Sequence, residues 1–324
     1  MKQFNKDISI VVPTYNEDES IGELADEIAS VLKPQNLSYE IIFIDDGSTD
    51  NSWGEVIHLS EKYPDVVRGI KFQRNYGKSA ALYEGFKAAE GEVVITMDAD
   101  LQDSPSEIPE LRKMILEDGY DMVSGWKRKR YDPLNKRLPS KFFNSTARAV
   151  TGIKLHDFNC GLKAYKHKVV KSIEVYGEMH RWIPFLAKRA GFRKIGEKVV
   201  QHRARKYGFS KFGWERMIKG YLDLLTVTFT ERFSKSPMYF FGSLGTLMFI
   251  LGGGIAVWLI AEKLIRQMNG LLIRQVTDQP LFYIALVMVI MGTQMFLAGF
   301  LGELVCRKSP SRNDYLIDNK LNVK

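Results

Sequence analysis

The chain has 324 residues, of which 45% are hydrophobic and 26% charged, so a disordered polypeptide is not expected. Its two cysteines, Cys160 and Cys306, lie far apart and form no CxxC or Cys/His pattern, which argues against a disulfide framework and a zinc site. The net charge of +8 is modest, but basic residues cluster at residues 126–130 and 201–211. Such clusters suit nucleic acid, anionic lipid or phosphorylated substrates, and equally a solvated surface.

Strand and helix signals alternate along the first part of the chain. In chain order they first predict a buried strand at 8–16 that ends in a turn at Pro13. A helix follows, with apolar residues at Ile21, Leu24, Ile28, Val31 and Leu32. Next come a strand at 39–50, a strand at 66–75, a helix at 79–91 closed by Gly91, and a strand at 93–98. Near-continuous apolar strands that alternate with helices indicate a parallel sheet covered on both faces.

Polar side chains follow several of these strands. Tyr15, Asn16 and Glu17 follow the first, Asp45 and Asp46 the second, and Asp98 and Asp100 the fourth. In a parallel sheet the carboxyl ends of the strands share one edge, where ligands bind. We therefore expect these groups to line one crevice, although Asp45 would also suit a structural role in capping the turn of DGST.

The glycine signatures of nucleotide-binding loops are missing at this crevice. The first strand ends in PTYNEDES rather than GxGxxG, and YGKS at 76–79 lacks the earlier glycine of a P-loop because position 72 is Phe72. Asp100 and Gln102 stand two residues apart after a strand, so we expect both side chains to point the same way. Oxygen ligands of this kind suit Mg²⁺ or Mn²⁺, which would neutralise a diphosphate.

The end of the chain differs from the rest. Residues 238–261 and 281–302 contain no charged side chain, and as helices they would be about 33–36 Å long, enough to cross a bilayer. A buried helical hairpin is the alternative. The stretch 212–233 has apolar residues at helical spacing with basic residues between them, which suits a helix at the membrane interface or an ordinary amphipathic helix packed on the domain.

The charges that flank the two apolar segments predict their orientation. Basic residues precede the first and follow the second, although the connection between them also carries Lys263, Arg266 and Arg274. No signal-peptide pattern stands at the N-terminus. We therefore expect an inner-membrane, multi-pass protein with the large domain and both termini in the cytoplasm.

Taken together, the motifs resemble those of the polyprenyl-phosphate glycosyltransferases of glycosyltransferase family 2. The resemblance covers nearly the whole chain and rests on these stretches: VVPTYNE, IDDGSTDNS, RNYGKSAALYEGFKAAEGEVVITMDADLQD and HDFNCGLKAY. It implies an α/β fold of the GT-A type, with a Rossmann-like, mostly parallel sheet between helices, followed by interfacial helices and two transmembrane helices. The implied domain bounds are 1–211 for the catalytic domain, 212–236 for the interfacial helix, 237–303 for the membrane hairpin and 304–324 for the tail.

The resemblance also implies site residues. Donor binding would fall to Pro13, Tyr15, Glu17, Asp46, Lys78, Asp98, Ala99, Asp100, Arg205 and Lys211. The metal ligands would be Asp98, Asp100 and Gln102, and the acceptor phosphate would meet Lys127, Arg128 and Arg137. The catalytic residues would be Asp157, Asp100 and Arg205, with Asp157 mainly an orienting group. His156 suits a structural role.

The implied reaction moves a hexose, with inversion, from a nucleotide sugar to polyprenyl phosphate. UDP-glucose and undecaprenyl phosphate are the favoured substrates, and Mg²⁺ or Mn²⁺ is the implied cofactor. The membrane is the expected partner and nucleic acid is not, whereas a homo-oligomer is left open. GDP-mannose as donor is one alternative. A polysaccharide synthase of the same fold is another, although HRWIP at 180–184 echoes the QxxRW motif of such enzymes only in part. A non-catalytic membrane scaffold is the third.

Overall fold

The computed structural model describes residues 4–128, 144–204, 206–207, 229, 236–272 and 274–308. The chain forms two compact units, Met1–Leu225 and Thr226–Lys324. The strands are β1 (Lys6–Thr14), β2 (Tyr39–Asp45), β3 (Val67–Lys71), β4 (Gly91–Thr96), β5 (Met122–Trp126), β6 (Lys163–Lys166) and β7 (Ile195–Val199). The helices of the first unit are α1 (Asp18–Leu32), α2 (Ser52–Lys62), α3 (Lys78–Ala88), α4 (Ile108–Leu116), α5 (His167–Ser172) and α6 (Ile183–Arg189).

The seven strands form one sheet in the order β3-β2-β1-β4-β6-β5-β7. Strand β6 runs antiparallel to β4 and β5, whereas the other neighbouring pairs are parallel. The expected mostly parallel sheet is confirmed. Because β1, β2, β4 and β5 point the same way, their carboxyl ends meet at one edge.

Helices cover both faces of this sheet. Ile8, Ile10 and Val12 of β1 share a buried cluster with apolar side chains of α1, α2 and α4. On the opposite face, Gly85 of α3 lies against Val11 and Ile44. The predicted apolar stripe of α1 is buried except for Val31, which is partly buried. Each fully buried leucine or isoleucine in it stabilises the fold by about 1.5–3 kcal/mol relative to exposure.

The predicted turn at Pro13 is wrong, because β1 continues to Thr14 and Pro13 pairs with Ile44 of β2. The carbonyl of Val11 points toward β4, because it accepts a hydrogen bond from the N–H of Met97. The backbone nitrogen of Pro13, two residues later in the strand, points to the same side. The strand pairing of β1 with β4 has ended by then. The missing N–H of proline therefore costs no strand-to-strand hydrogen bond.

The predicted helix end at Gly91 is also wrong. Helix α3 ends at Ala88, and Gly91 is the first residue of β4. A Cβ atom at Gly91 would lie 2.4 Å from the backbone nitrogen of Ser9, so close approach to β1 explains the glycine. Strand β4 also stops at Thr96, before the acids that the sequence placed at its end.

In the second unit, helices α7 (Pro237–Met268) and α8 (Pro280–Lys308) pack against each other. A Cβ at Gly245 would lie 2.6 Å from the carbonyl oxygen of Gly292, so the two backbones approach closely there. Pro237–Met268 and Pro280–Val305 are long and apolar enough to cross a membrane, with mean hydropathies of 2.1 and 2.2. Only 17% of each apolar window is buried, unlike the core helix of a water-soluble protein. The predicted interfacial segment, residues 212–233, lies outside the described residues except for Phe229.

Candidate active site

The loops that follow β1 and β2 are joined by hydrogen bonds at the carboxyl edge. The backbone N–H of Asn16 donates to Ser48 Oγ at 2.9 Å, and the N–H of Thr49 donates to Asn16 Oδ1 at 2.9 Å. Glu17 donates its N–H to Ser52 Oγ at 2.9 Å. Pro13, Tyr15 and Glu17, predicted from the sequence to bind the donor, lie in or beside this joined pair of loops.

The two acids after β2 have different partners. Asp45 Oδ1 accepts the N–H of Ser48 at 3.0 Å, which is the turn-capping role considered above. Asp46 holds the loop before α3, because its two oxygens accept the N–H groups of Tyr76 at 2.7 Å and Gly77 at 2.9 Å. Burial raises the pKa of Asp46 above its ordinary value, and these two backbone donors oppose the rise. Each oxygen keeps a second lone pair for a ligand.

Asp98 forms an ion pair with Lys78, the first residue of α3. Burial of the Asp98 carboxyl opposes its ionisation, but Lys78, Lys127 and Lys163 together hold its pKa well below the usual range. About 30% of the Asp98 side chain and 31% of the Lys78 side chain remain exposed, so a ligand can reach both. Behind Asp98 lies Gly161, where a Cβ would stand 2.4 Å from Asp98 Oδ2.

Asp100 and Gln102 were expected to point the same way because they would end a strand. That premise is wrong, because β4 stops at Thr96. They lie in a turn after β4, and Leu101 between them has a φ of 59°, in the left-handed region where strand alternation does not apply. Asp100 Oδ1 accepts the N–H of Gln102 at 3.2 Å. Ala99, between Asp98 and Asp100 of the DxD motif, is buried. Residues 98–103 are called the DxD turn below.

The donor atoms of this turn fit a hard divalent cation. Asp100 supplies carboxylate oxygens and Gln102 an amide oxygen, the ligand type that Mg²⁺ and Mn²⁺ prefer. The described residues contain no group of three His, Cys, Asp or Glu side chains placed to hold a metal, and Asp98 is engaged with Lys78. A cation at this turn would therefore take its remaining ligands from outside the described protein atoms.

The basic residues after β5 face in two directions. Lys127 Nζ lies 2.7 Å from the buried Asp103 Oδ1, and only 13% of the Lys127 side chain is exposed. Burial of the ammonium opposes its charge, but Asp103 and Asp98 raise the pKa of Lys127 above its ordinary value. Arg128 is exposed. Of the three predicted contacts to the acceptor phosphate, Lys127 is thus engaged behind the DxD turn and Arg128 lies at the surface, whereas Arg137 is outside the described residues.

Asp157 opens a turn, residues 157–161, that ends at Gly161 and is buried except for Asn159. Its side chain is 1% exposed, and Asp157 Oδ1 accepts the N–H of Asn159 at 3.1 Å. Ser124 Oγ donates to the carbonyl of Asp157 at 3.3 Å. Next to it, burial raises the pKa of the Cys160 thiol to about 12, which argues against a thiolate nucleophile.

Several residues of this region were not assigned from the sequence. Lys163 is buried, its ammonium donates to the carbonyl of Cys160, and burial lowers its pKa. It pairs with Thr96 across the antiparallel strands β6 and β4, which brings it behind Asp98. The stretch HDFNCGLKAY contains Lys163 and Gly161, but antiparallel pairing with β4 could not be read from it.

Residues 201–204 lie against the DxD turn. Asp103 and His202 form an isolated antiparallel bridge, and Arg203 donates its N–H to the carbonyl of Gln102 at 2.9 Å. Arg203 and Lys206 also form ion pairs with Glu27 and Glu23 of α1, each with a contact at 2.8 Å. The predicted site residues Arg205, Lys211 and Arg137 lie outside the described residues.

The family model for glycosyl transferase family 2 matches residues 9–174 of the chain, from within β1 to past the end of β6, including the DxD turn. This chain belongs to glycosyltransferase family 2. It is a glycosyltransferase, and its resemblance to the polyprenyl-phosphate branch of family 2 is confirmed by two relatives.

The first relative is a dodecaprenyl-phosphate galacturonate synthase of Rhizobium johnstonii, 35% identical over 93% of this chain and 88% of the relative. The second is an undecaprenyl-phosphate 4-deoxy-4-formamido-L-arabinose transferase of Proteus mirabilis, 33% identical over 100% of this chain and 96% of the relative.

Solved structures confirm the GT-A type fold of this family 2 member. One is glucosyl-3-phosphoglycerate synthase from Mycobacterium tuberculosis in complex with Mn²⁺, UDP and glucosyl-3-phosphoglycerate. It has a TM-score of 0.54 and 18% identity, and the match covers 70% of this chain and 80% of that one.

Proposed function

We propose that this enzyme transfers a sugar from a nucleoside diphosphate donor to polyprenyl phosphate. One observation carries the proposal: the Asp46-held loop, the Lys78–Asp98 pair and the Asp100–Gln102 turn lie at the carboxyl edge of the sheet, around the ends of β2 and β4, the two strands that flank β1. The two apolar helices and the names of the relatives support a lipid acceptor. The wider alternatives of a polysaccharide synthase and a scaffold lack such support.

The donor diphosphate would lie over the DxD turn. Asp100 and Gln102 would hold a Mg²⁺ or Mn²⁺ ion, which would stabilise negative charge on the leaving nucleoside diphosphate. Lys78 supplies a second positive charge at the same place, and Asp98 orients it. Arg205, assigned from the family resemblance, would contact the diphosphate.

The acceptor would be a lipid monophosphate, which is largely ionised near neutral pH because its second pKa is about 6. Such a nucleophile needs no strong base, so direct attack on the anomeric carbon with inversion is the expected course. The burial of Asp157 and its bond to Asn159 favour the orienting role over proton transfer. Arg128 and Arg137 remain the candidates for the acceptor phosphate.

We further propose that the catalytic unit and both termini face the cytoplasm, where nucleotide sugars are available. The domain bounds proposed from the sequence, 1–211, 212–236, 237–303 and 304–324, would then assign the catalytic chemistry to the first part and the lipid tail to the hairpin. A homo-oligomer is compatible with this arrangement.

The donor sugar is proposed to be carried by uridine diphosphate, with glucose as the first candidate. Because of the names of the relatives, galacturonate and 4-deoxy-4-formamido-L-arabinose are to be tested as donor sugars alongside glucose. The purified full chain would be incubated with undecaprenyl phosphate, Mn²⁺ and each labelled donor, with GDP-mannose as the matched guanine control. A lipid-linked sugar from one UDP donor is expected. Transfer from GDP-mannose alone would overturn the choice of base, and transfer from none of the donors would overturn the proposal.

A further inference from the structure

Glu197 of β7 binds the start of the 157–161 turn through three contacts. Its Oε1 accepts the N–H of His156 at 2.6 Å and the N–H of Asp157 at 3.1 Å. Its Oε2 lies 2.6 Å from Nδ1 of the His156 ring. Only 12% of the Glu197 side chain is exposed, and bonds between a carboxylate and backbone N–H groups are strong in such surroundings.

The position of Glu197 follows from strand pairing. Glu197 stands opposite Ser124 of the parallel neighbour β5, and Ser124 Oγ donates to the Asp157 carbonyl. The His156 ring stacks on Trp126 with ring centroids 4.1 Å apart and an interplanar angle of 14°. Two adjacent strands thus hold residues 156 and 157 from several directions.

The far end of the same turn touches the donor site. Thr96 Oγ1 donates to the carbonyl of Gly161 at 2.8 Å, and the Asp98 carboxylate lies directly against Gly161. Within the turn, Asp157 Oδ1 accepts the N–H of Asn159, two residues before Gly161. A shift at residues 156–157 would therefore move the surface against which Asp98 rests.

We propose that Glu197 is a positioning residue for the donor site, acting through the 157–161 turn on Asp98. The proposal rests on the proposed function, since Asp98 is taken to orient the donor-binding Lys78. Glu197 itself touches no reacting atom in this account. Its two backbone bonds need an acceptor oxygen rather than a negative charge, which separates this role from an electrostatic one.

The test uses the full chain in nanodiscs and measures kcat for transfer to undecaprenyl phosphate. Glu197→Ala removes all three contacts and is expected to lower kcat by roughly 10- to 100-fold, the size associated with an ångström-scale misplacement. Glu197→Gln keeps an amide oxygen for both N–H groups and should stay within about 5-fold of wild type. His156→Phe keeps a ring beside Trp126 and should also be mild. Equal damage in the Gln and Ala variants would overturn the positioning role.

A double-mutant cycle tests the route through Asp98. In an Asp98→Ala background, assayed by single turnovers, Glu197→Ala should add less than about 3-fold, because coupled residues are not additive. Glu40 is the matched control: this buried glutamate near the start of β2 accepts the N–H of Glu90 at 2.8 Å. Glu40→Ala should lower Tm without any coupling to Asp98. If the fold-losses in rate caused by Glu197→Ala and Asp98→Ala simply multiply in the double variant, the proposal is refuted.

Amide hydrogen exchange provides a readout that does not depend on turnover. Glu197→Ala should speed exchange at residues 157–161, whereas Glu40→Ala should leave it unchanged. If the wild type makes no lipid-linked sugar, the proposed function fails, and the exchange data still decide whether Glu197 fixes this turn. Unchanged exchange in Glu197→Ala would overturn the inference even in an active enzyme.

Discussion

Replacing Gly161 with alanine should displace the Asp98 carboxylate while leaving the backbone intact. The three heavy atoms nearest to a Cβ at Gly161 all belong to Asp98, at 2.4, 2.5 and 2.7 Å. Ordinary contacts begin near 3.4 Å, so the carboxylate has to move by about 1 Å. The φ of Gly161 is outside the left-handed region, so alanine itself is not strained there.

The expected result is a loss of activity larger than the loss of stability. A shift of about 1 Å in a charged group of the donor site costs on the order of 100-fold in kcat. Overpacking of this kind costs about 1–3 kcal/mol of unfolding free energy. Transfer to undecaprenyl phosphate under saturating donor measures the first quantity, and thermal unfolding of the full chain measures the second.

Two further variants make this prediction specific. Gly22→Ala in α1 has no heavy atom within 4 Å of the new Cβ, so it should leave kcat unchanged and stabilise the helix by about 0.5–1 kcal/mol. Adding Gly161→Ala to Asp98→Ala should cost little stability, because the clashing carboxylate is gone. A Gly161→Ala enzyme with wild-type kcat would refute the placement of Asp98 against the turn.

The remaining predictions concern the metal, Arg205 and the membrane. Asp100→Asn should abolish transfer and the mutual enhancement of Mn²⁺ and UDP binding measured by calorimetry, and full wild-type activity in excess chelator would show that no metal is needed. High Mn²⁺ should partly restore Gln102→Ala, in which only a neutral ligand is lost; no response to Mn²⁺ would count against Gln102 as a ligand. Arg205→Lys should impair transfer by about 2–4 kcal/mol in the transition state, because the planar fork is lost, and wild-type rates in Arg205→Ala would exclude that role. In a cysteine-free background, a cysteine at Asn269 should react with an impermeant reagent from outside and one at Asn319 should not; the reverse pattern would overturn the orientation.

The sequence was most informative where periodicity and burial coincide. The apolar runs predicted β1, β2 and β4, and the stripe that begins at Ile21 predicted α1, because a sheet covered by helices has to bury such faces. The acids after those strands were correctly expected at one edge. Element ends were less predictable, since Pro13 and Gly91 are explained by contacts with neighbouring strands that the local sequence does not encode.

The inner part of the site could not be predicted, because it depends on long-range pairing. Strand β6 runs against its neighbours, which brings Lys163 and Gly161 behind Asp98 although they are more than sixty residues away in sequence. Lys127 looks like a phosphate ligand in a basic run, yet it pairs with Asp103. No local pattern distinguishes an inward lysine from an outward arginine such as Arg128.

The central claim is that the sugar alone, without its phosphate, passes to the lipid phosphate. Mass spectrometry of the lipid product formed from undecaprenyl phosphate and the preferred UDP-sugar tests this most directly, with Asp100→Asn as the inactive control. We predict a lipid product that contains one sugar and one phosphate, with release of UDP. Two results would contradict transfer of the sugar alone: a product with a diphosphate link, or release of UMP. It would also be contradicted if the lipid stayed unchanged under conditions where a water-soluble phosphate acceptor is glycosylated.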